Sequence, residues 1–247
     1  MNSVPHKLDN QDYKRWLKTD SALRLLSLQS AWLQTKLRRF SGAHLMFHGL
    51  DPKLDLLSTS PIKHAFRMAL PWQTGITTDA WMTSSDWPLA DQSIDLVVMQ
   101  HSLDFTRQPQ QMIREAARTI VPSGHLVIIG FNPWSWWGGV QKTLPFSTNM
   151  PWVANAVSMK RLQDWLLLLD FSIQSTETLG HLWPITLFPE RVSQRIDGVL
   201  AGSVGMGNFY MVIAQKTTLG MSSLRSRPWP ILEPQLGWAK NMGKTKP

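Results

Sequence analysis

The stretch from Trp87 to Gly130, WPLADQSIDLVVMQHSLDFTRQPQQMIREAARTIVPSGHLVIIG, constrains the fold of this chain more than any other part. Asp91–Ser93 is polar and turn-forming. Ile94–Met99 is short, rich in β-branched residues and mostly apolar, as suits a strand buried on both faces of a parallel sheet. Pro109 fits the first turn of a helix, where a missing N–H costs nothing. Met112, Ile113, Ala116, Ala117 and Ile120 follow at helical spacing, so the predicted helix has one face for the sheet. Pro122-Ser123-Gly124 is expected to stop the helix, and Leu126–Ile129 is the next buried strand. Two such strands joined by a helix make a right-handed parallel βαβ unit.

The order and spacing of these residues resemble the fourth strand, following helix and fifth strand of class I S-adenosylmethionine-dependent methyltransferases, in their small-molecule type 11 branch. That family writes LPF-x-D-x-S-F-D-L-V, then H-x-L-E-H/F, then L-R-E-x-x-R-x-L-x-P-G-G. The matching residues here are Trp87-Pro88-Leu89, Asp91, Ser93–Val97, His101–Phe105, Ile113-Arg114-Glu115, Arg118 and Pro122-Ser123-Gly124. Gly130-Phe131-Asn132-Pro133-Trp134 further resembles a small bacterial subgroup of methyltransferase-like proteins. The resemblance implies an α/β fold: a Rossmann-like, doubly wound sheet, mostly parallel with an antiparallel seventh strand, and helices on both faces. It also implies S-adenosyl-L-methionine as cofactor.

Composition agrees with a globular α/β protein. The chain has 247 residues and is 43% hydrophobic, enough for one substantial core. It has no cysteine, which excludes disulfides, cysteine-ligated zinc and a thiol nucleophile, and fits the expected cytoplasmic location. No apolar run approaches the roughly 20 residues of a membrane span, and the first residues lack the apolar core of a signal peptide. The net charge of +8 is concentrated at the ends. Residues 1–40 hold eight Lys/Arg against three Asp/Glu, and residues 216–247 hold six against one. The middle is near neutral, so nucleic acid is not the expected partner. The expected partner is a small-molecule acceptor; the sequence does not fix the oligomeric state.

Read in order, the chain has an N-terminal helical segment (1–40), a methyltransferase-like domain (41–216) and a basic tail (217–247) expected to be disordered. Trp16, Leu17, Leu23, Leu26, Leu33 and Leu37 mark a helix over 13–40, which Thr19 or Asp20 could divide by capping. Strands are expected at 43–49, 62–68, 76–82, 172–178 and 207–216. A helix capped by Ser158 is expected from Met159 to about Leu169. A short helix over 184–201 would carry Arg191, Arg195 and Asp197.

The family's first strand ends in an acidic residue and a glycine-rich loop. Here only Gly49 is kept, with Phe47 or His48 in the acidic position and Asp51-Pro52 in place of later glycines. The glycine-rich loop is thus degenerate. The usual carboxylate for the ribose, after the second strand, has no counterpart before Asp79. The usual adenine-binding Asp is Thr83 here, with Ser84, Ser85 and Asp86 beside it, and an amino group needs only an acceptor. In an open sheet the ligand sits outside the carboxyl ends of the strands. The expected cofactor-binding residues are therefore Gly49, Leu50, Ser85, Asp86, Trp87, Gln100 and His101. His101 is the candidate catalytic base, oriented by Asp104, and no metal is expected. Trp134, Trp136 and Trp137 could cover an aromatic substrate or pack on the protein itself. Three functions follow: methyl transfer to a small molecule, a degenerate relative that binds a ligand or partner without transfer, or a nucleic-acid-associated protein, which the basic ends suggest and the neutral middle argues against.

Overall fold

The computed structural model describes residues 10–50, 60–74, 77–143, 150–181 and 207–217. The helix expected over 184–201 lies outside these residues, as does the tail beyond Thr217. Seven strands form one sheet: β1 (His44–His48), β2 (His64–Ala69), β3 (Ala80–Trp81), β4 (Ile94–Gln100), β5 (Ile120–Phe131), β6 (Phe171–Leu179) and β7 (Phe209–Lys216). Their order is β3-β2-β1-β4-β5-β7-β6. All neighbouring pairs are parallel except those of β7, which runs antiparallel to both β5 and β6. The strand order reverses between β1 and β4, which is where open α/β sheets bind ligands. This is the expected doubly wound sheet, with β4 and β5 adjacent, parallel and buried.

Alternation of side chains along the strands divides the core in two. Leu45, Phe47, Leu96, Val98, Val127, Ile129, Met211 and Ile213 face one layer. That layer is closed by α1 (Asn10–Trp16) and α2 (Asp20–Leu37), together with Trp137 of α4 (Trp136–Thr143). Met46, Val97, Met99, Leu126, Ile128, Tyr210 and Val212 face the other, closed by α3 (Pro109–Thr119) and α5 (Met159–Leu168). Helices thus cover both faces.

The predicted caps are present. The Thr19 hydroxyl accepts the Ala22 N–H and divides α1 from α2, and Ser158 accepts the Arg161 N–H at the start of α5. One boundary differs from expectation. Pro122-Ser123-Gly124 does not end α3, because the helix already stops at Thr119 and Ile120 pairs with Ile94 as the first residue of β5. The Pro-Ser-Gly segment instead makes an irregularity within the strand, with Ser123 at φ 65° and the β4–β5 register shifted between Ile94 and Leu96. The third strand is also shorter than expected.

α2 is tied to the far edge of the sheet. Trp32 Nε1 donates to Glu177 Oε2 of β6 at 2.7 Å, and Lys36 Nζ bonds the other carboxylate oxygen. The Lys36 pair is partly exposed and adds little, whereas the charge-assisted bond to Trp32 is worth more. Glu177→Ala is expected to destabilise by about 1–2 kcal/mol, a fall in Tm of roughly 2–8 °C. Thermal unfolding followed by circular dichroism checks this.

Candidate functional site

The ends of β1 and β4 meet at the switch point. A Cβ placed on Gly49 would lie 2.6 Å from Gln100 Oε1 and 2.7 Å from the tip of the Phe47 ring. Glycine is required there by close approach. The neighbouring strand-end residues are buried and bonded to one another. His48 is 2% exposed, with Nδ1 2.5 Å from Ser102 Oγ and Nε2 2.9 Å from Gln73 Oε1. Gln73 Oε1 also accepts the Leu70 N–H, and its Nε2 donates to the Gly49 carbonyl at 3.0 Å. The amide oxygen makes His48 Nε2 the donor, and Nδ1 accepts from Ser102. Burial lowers the His48 pKa to about 4, the Gln73 bond opposing and the Arg67 charge adding to the shift. A neutral imidazole therefore stands at the end of β1.

His101 follows directly on β4 with φ 57°, a left-handed conformation uncommon outside glycine. Its N–H is fixed by the Ile129 carbonyl at 2.7 Å, and its ring lies 4.1 Å from the Phe131 ring, centroid to centroid. Nδ1 lies 2.8 Å from Asp104 Oδ2, which also accepts the Phe131 N–H at 3.0 Å. The oxygen accepts from both, so Nδ1 carries the proton and Nε2 is the bare nitrogen. Gln29 of α2 donates its Nε2 to that nitrogen at 2.7 Å, while its Oε1 accepts from Gln100 Nε2 at 2.7 Å. Gln29, Gln100, His101 and Asp104 are all fully buried. Burial pushes the Asp104 carboxyl up, opposed by its bond to His101.

The structure therefore brings Gly49, Gln100 and His101 together, with Leu50 beside them, its carbonyl accepting from the Tyr13 hydroxyl. Ser85 and Asp86 lie on the exposed loop after β3. This loop is fastened to the segment after β4 by a Thr106–Ser84 hydroxyl bond of 2.7 Å. Trp87 is different: its side chain is 2% exposed and packs in the layer under α3 and α5. Its backbone N–H donates to Glu115 Oε2 and its carbonyl accepts from Arg118. Arg118 also grips the Leu89 carbonyl and the Asp91 carboxylate. The Arg118 bond holds the Glu115 carboxyl below its usual range. Glu115 and Arg118, one helical turn apart, thus shape the loop that presents Ser85 and Asp86.

Three residues of this network, Gln29, Gln73 and Ser102, were not anticipated from the sequence. Gln29 did leave a signal: it shares the inward face of α2 with Leu25, Leu26, Trp32 and Leu33, a polar residue in an apolar stripe. Of the three tryptophans, Trp137 is fully buried and stacks on Phe131 at 4.4 Å and Trp152 at 5.9 Å. Trp134 and Trp136 are exposed, with Lys142 over the Trp134 ring. Among the described residues no group of three or more His, Cys, Asp or Glu could hold a metal ion, and no helix is long and apolar enough to cross a membrane.

The methyltransferase-domain family matches residues 67–128, which run from β2 through β5. Over this quarter of the chain the sequence is similar to class I, type 11 methyltransferase domains. Among solved structures, the domain resembles an S-adenosylmethionine-dependent methyltransferase of Thermotoga maritima, described as a possible histamine N-methyltransferase. The TM-score is 0.55 at 17% identity, over 84% of this chain and 96% of that one. It also resembles geranyl diphosphate C-methyltransferase of Streptomyces coelicolor, solved with S-adenosyl-L-homocysteine, with TM-score 0.55 and 14% identity over 79% and 81% of the chains. At such identities the likeness is one of fold. In sequence, the chain is 37% identical over 87 residues to the uncharacterized protein YafS of Escherichia coli (strain K12). That match covers 35% of this chain and 36% of the relative.

Proposed function

We propose that this domain transfers a methyl group from S-adenosylmethionine to a small-molecule acceptor. The observation that carries the reading is the convergence of Gly49, Gln100 and His101 at the switch point of a methyltransferase-type sheet. The residues present fit the adenine end of the cofactor. Ser85 and Asp86 are exposed acceptors on a loop braced by Glu115 and Arg118, and would hold the adenine amino group. Trp72, just past β2, keeps a buried indole N–H with no hydrogen-bond partner, which a ligand oxygen would satisfy. The fit fails at the ribose, where β2 ends at Ala69 and is followed by Leu70 in place of a carboxylate.

When bound, the cofactor supplies a methyl group on a positively charged sulfur, open to in-line displacement. The protein's contribution is then orientation, which can be worth ~7–11 kcal/mol. A base is needed only where the acceptor must lose a proton. His101 Nε2 is the proton-accepting atom at the end of β4, with Asp104 orienting the ring through Nδ1.

One observation favours the second reading, a domain that binds without transfer. At the strand ends His48 bonds Gln73, Gln73 bonds the Gly49 carbonyl and Gln100 bonds Gln29, so these polar groups are engaged within the protein. Affinity separates the two. A charge-assisted ribose bond is worth ~1.5–3 kcal/mol net; its loss weakens binding by about one to two decades. We expect binding in the range of tens to hundreds of micromolar, and a further loss of about tenfold in Asp86→Ala. Calorimetric titration of both proteins tests this. Submicromolar binding indifferent to Asp86→Ala would remove the loop from the site, and no binding at millimolar cofactor would leave the second reading.

A further inference from the structure

Gln29 has an unusual position. It is fully buried in the middle of α2, on a face otherwise made of Leu25, Leu26, Trp32 and Leu33. Packing alone would place an apolar residue there, since a buried amide must find its hydrogen bonds. Its two bonds both go to the end of β4: Oε1 receives Gln100 Nε2, and Nε2 donates to His101 Nε2, each at 2.7 Å. His101 Nδ1 is held by Asp104. The nitrogen capped by Gln29 is therefore the only ring nitrogen of His101 that can take a proton.

We propose that Gln29 is a side-chain latch on His101, occupying the working nitrogen until a ligand N–H or O–H displaces it. This rests on the reading of His101 as the base of the site. The helix itself is held, by the Thr19 cap at one end and the Glu177 bonds at the other, so release is a rotation of the Gln29 side chain. The displacing group must itself donate a hydrogen bond to an imidazole nitrogen, as an amine, hydroxyl or amide acceptor does. Gln100 is the partner that receives the released amide in its turn, since both amides can exchange donor for acceptor.

The test is acylation by diethyl pyrocarbonate, located by peptide mass spectrometry, in the full chain without cofactor. His44 and His64, both exposed, serve as internal references for reactivity. In the wild type His101 should react at least about tenfold more slowly than these two. In folded Gln29→Ala its rate should rise by about tenfold or more. Gln29→Met fills the space without the hydrogen bond and guards against a folding failure. In it the ¹⁵N resonance of His101 Nε2 should move toward that of an unbonded imidazole nitrogen, with Nδ1 unchanged. A purely space-filling role would leave that resonance where it is. Wild-type His101 reacting as fast as His44, an unreactive His101 in Gln29→Ala, or an unmoved Nε2 resonance in Gln29→Met each overturns the latch. If S-adenosylhomocysteine fails to bind while these variants behave as stated, the latch stands and the transfer reading falls.

Discussion

Between pH 7 and pH 4 the protein should lose about 3 kcal/mol of stability through His48 alone. The folded-state pKa of His48 is lowered to about 4 from 6.5, chiefly by burial. Below pH 6.5 the unfolded chain therefore binds a proton that the folded one refuses until about pH 4. Stability falls with pH wherever the unfolded state binds more protons, at ~1.4 kcal/mol per unit. The contribution is whole above pH 6.5 and is lost as pH falls toward 4. Asp104 acts in the opposite sense: its raised pKa makes the folded state the better proton binder, so its contribution grows as pH falls. Comparison with His48→Gln isolates the histidine, since the amide keeps hydrogen bonding without titrating. Urea unfolding at pH 7, 5.5 and 4.5 should show the wild type losing about 2.4 kcal/mol relative to this variant by pH 4.5. Parallel pH profiles would mean that His48 is not buried neutral.

The second large effect is expected at Trp137. Replacing it by alanine removes a fully buried indole stacked between Phe131 and Trp152. Large-to-small changes of this kind cost about 3–5 kcal/mol, a fall in Tm of roughly 6–20 °C. Trp134→Ala, at a side chain 76% exposed, should stay within about 0.5 kcal/mol. The contrast decides between the two roles read for the cluster. A tryptophan that only covers substrate would leave stability untouched, and an indifferent Trp137→Ala would support that role.

The same cluster shows what a sequence can and cannot reveal. Three aromatic residues within four positions announce burial or binding, but which of them faces inward depends on where α4 begins. It begins at Trp136, so Trp137 faces Phe131 while Trp136 faces outward. The sheet was more legible. Ile94–Met99 and Leu126–Ile129 are apolar without alternation because both faces are covered, and that pattern has one reading once a helix joins them. The caps at Thr19 and Ser158 were local and legible too. Ile120 was assigned to the helix because its spacing fits both elements, and only its pairing with Ile94 makes it a strand residue.

The candidate site was legible in part. Gly49, Gln100 and His101 follow from the rule that ligands meet strand ends. The partners that saturate them do not, because Gln29 lies 71 residues from Gln100 and Gln73 lies 24 from Gly49. No periodicity links such positions, and the contacts arise only when α2 lies over the sheet. Trp87 has its indole in the layer under α3 and α5, while Ser85 and Asp86 are the loop's exposed polar groups.

The most direct test of the central claim is the backbone amide spectrum of the isotope-labelled chain titrated with S-adenosylhomocysteine. The account predicts that Gly49, Leu50, Ser85, Asp86 and His101 shift together along one binding curve, while the far strand ends around His44 and His64 stay still. Shifts confined to other parts of the sheet, or none at millimolar ligand, would contradict it.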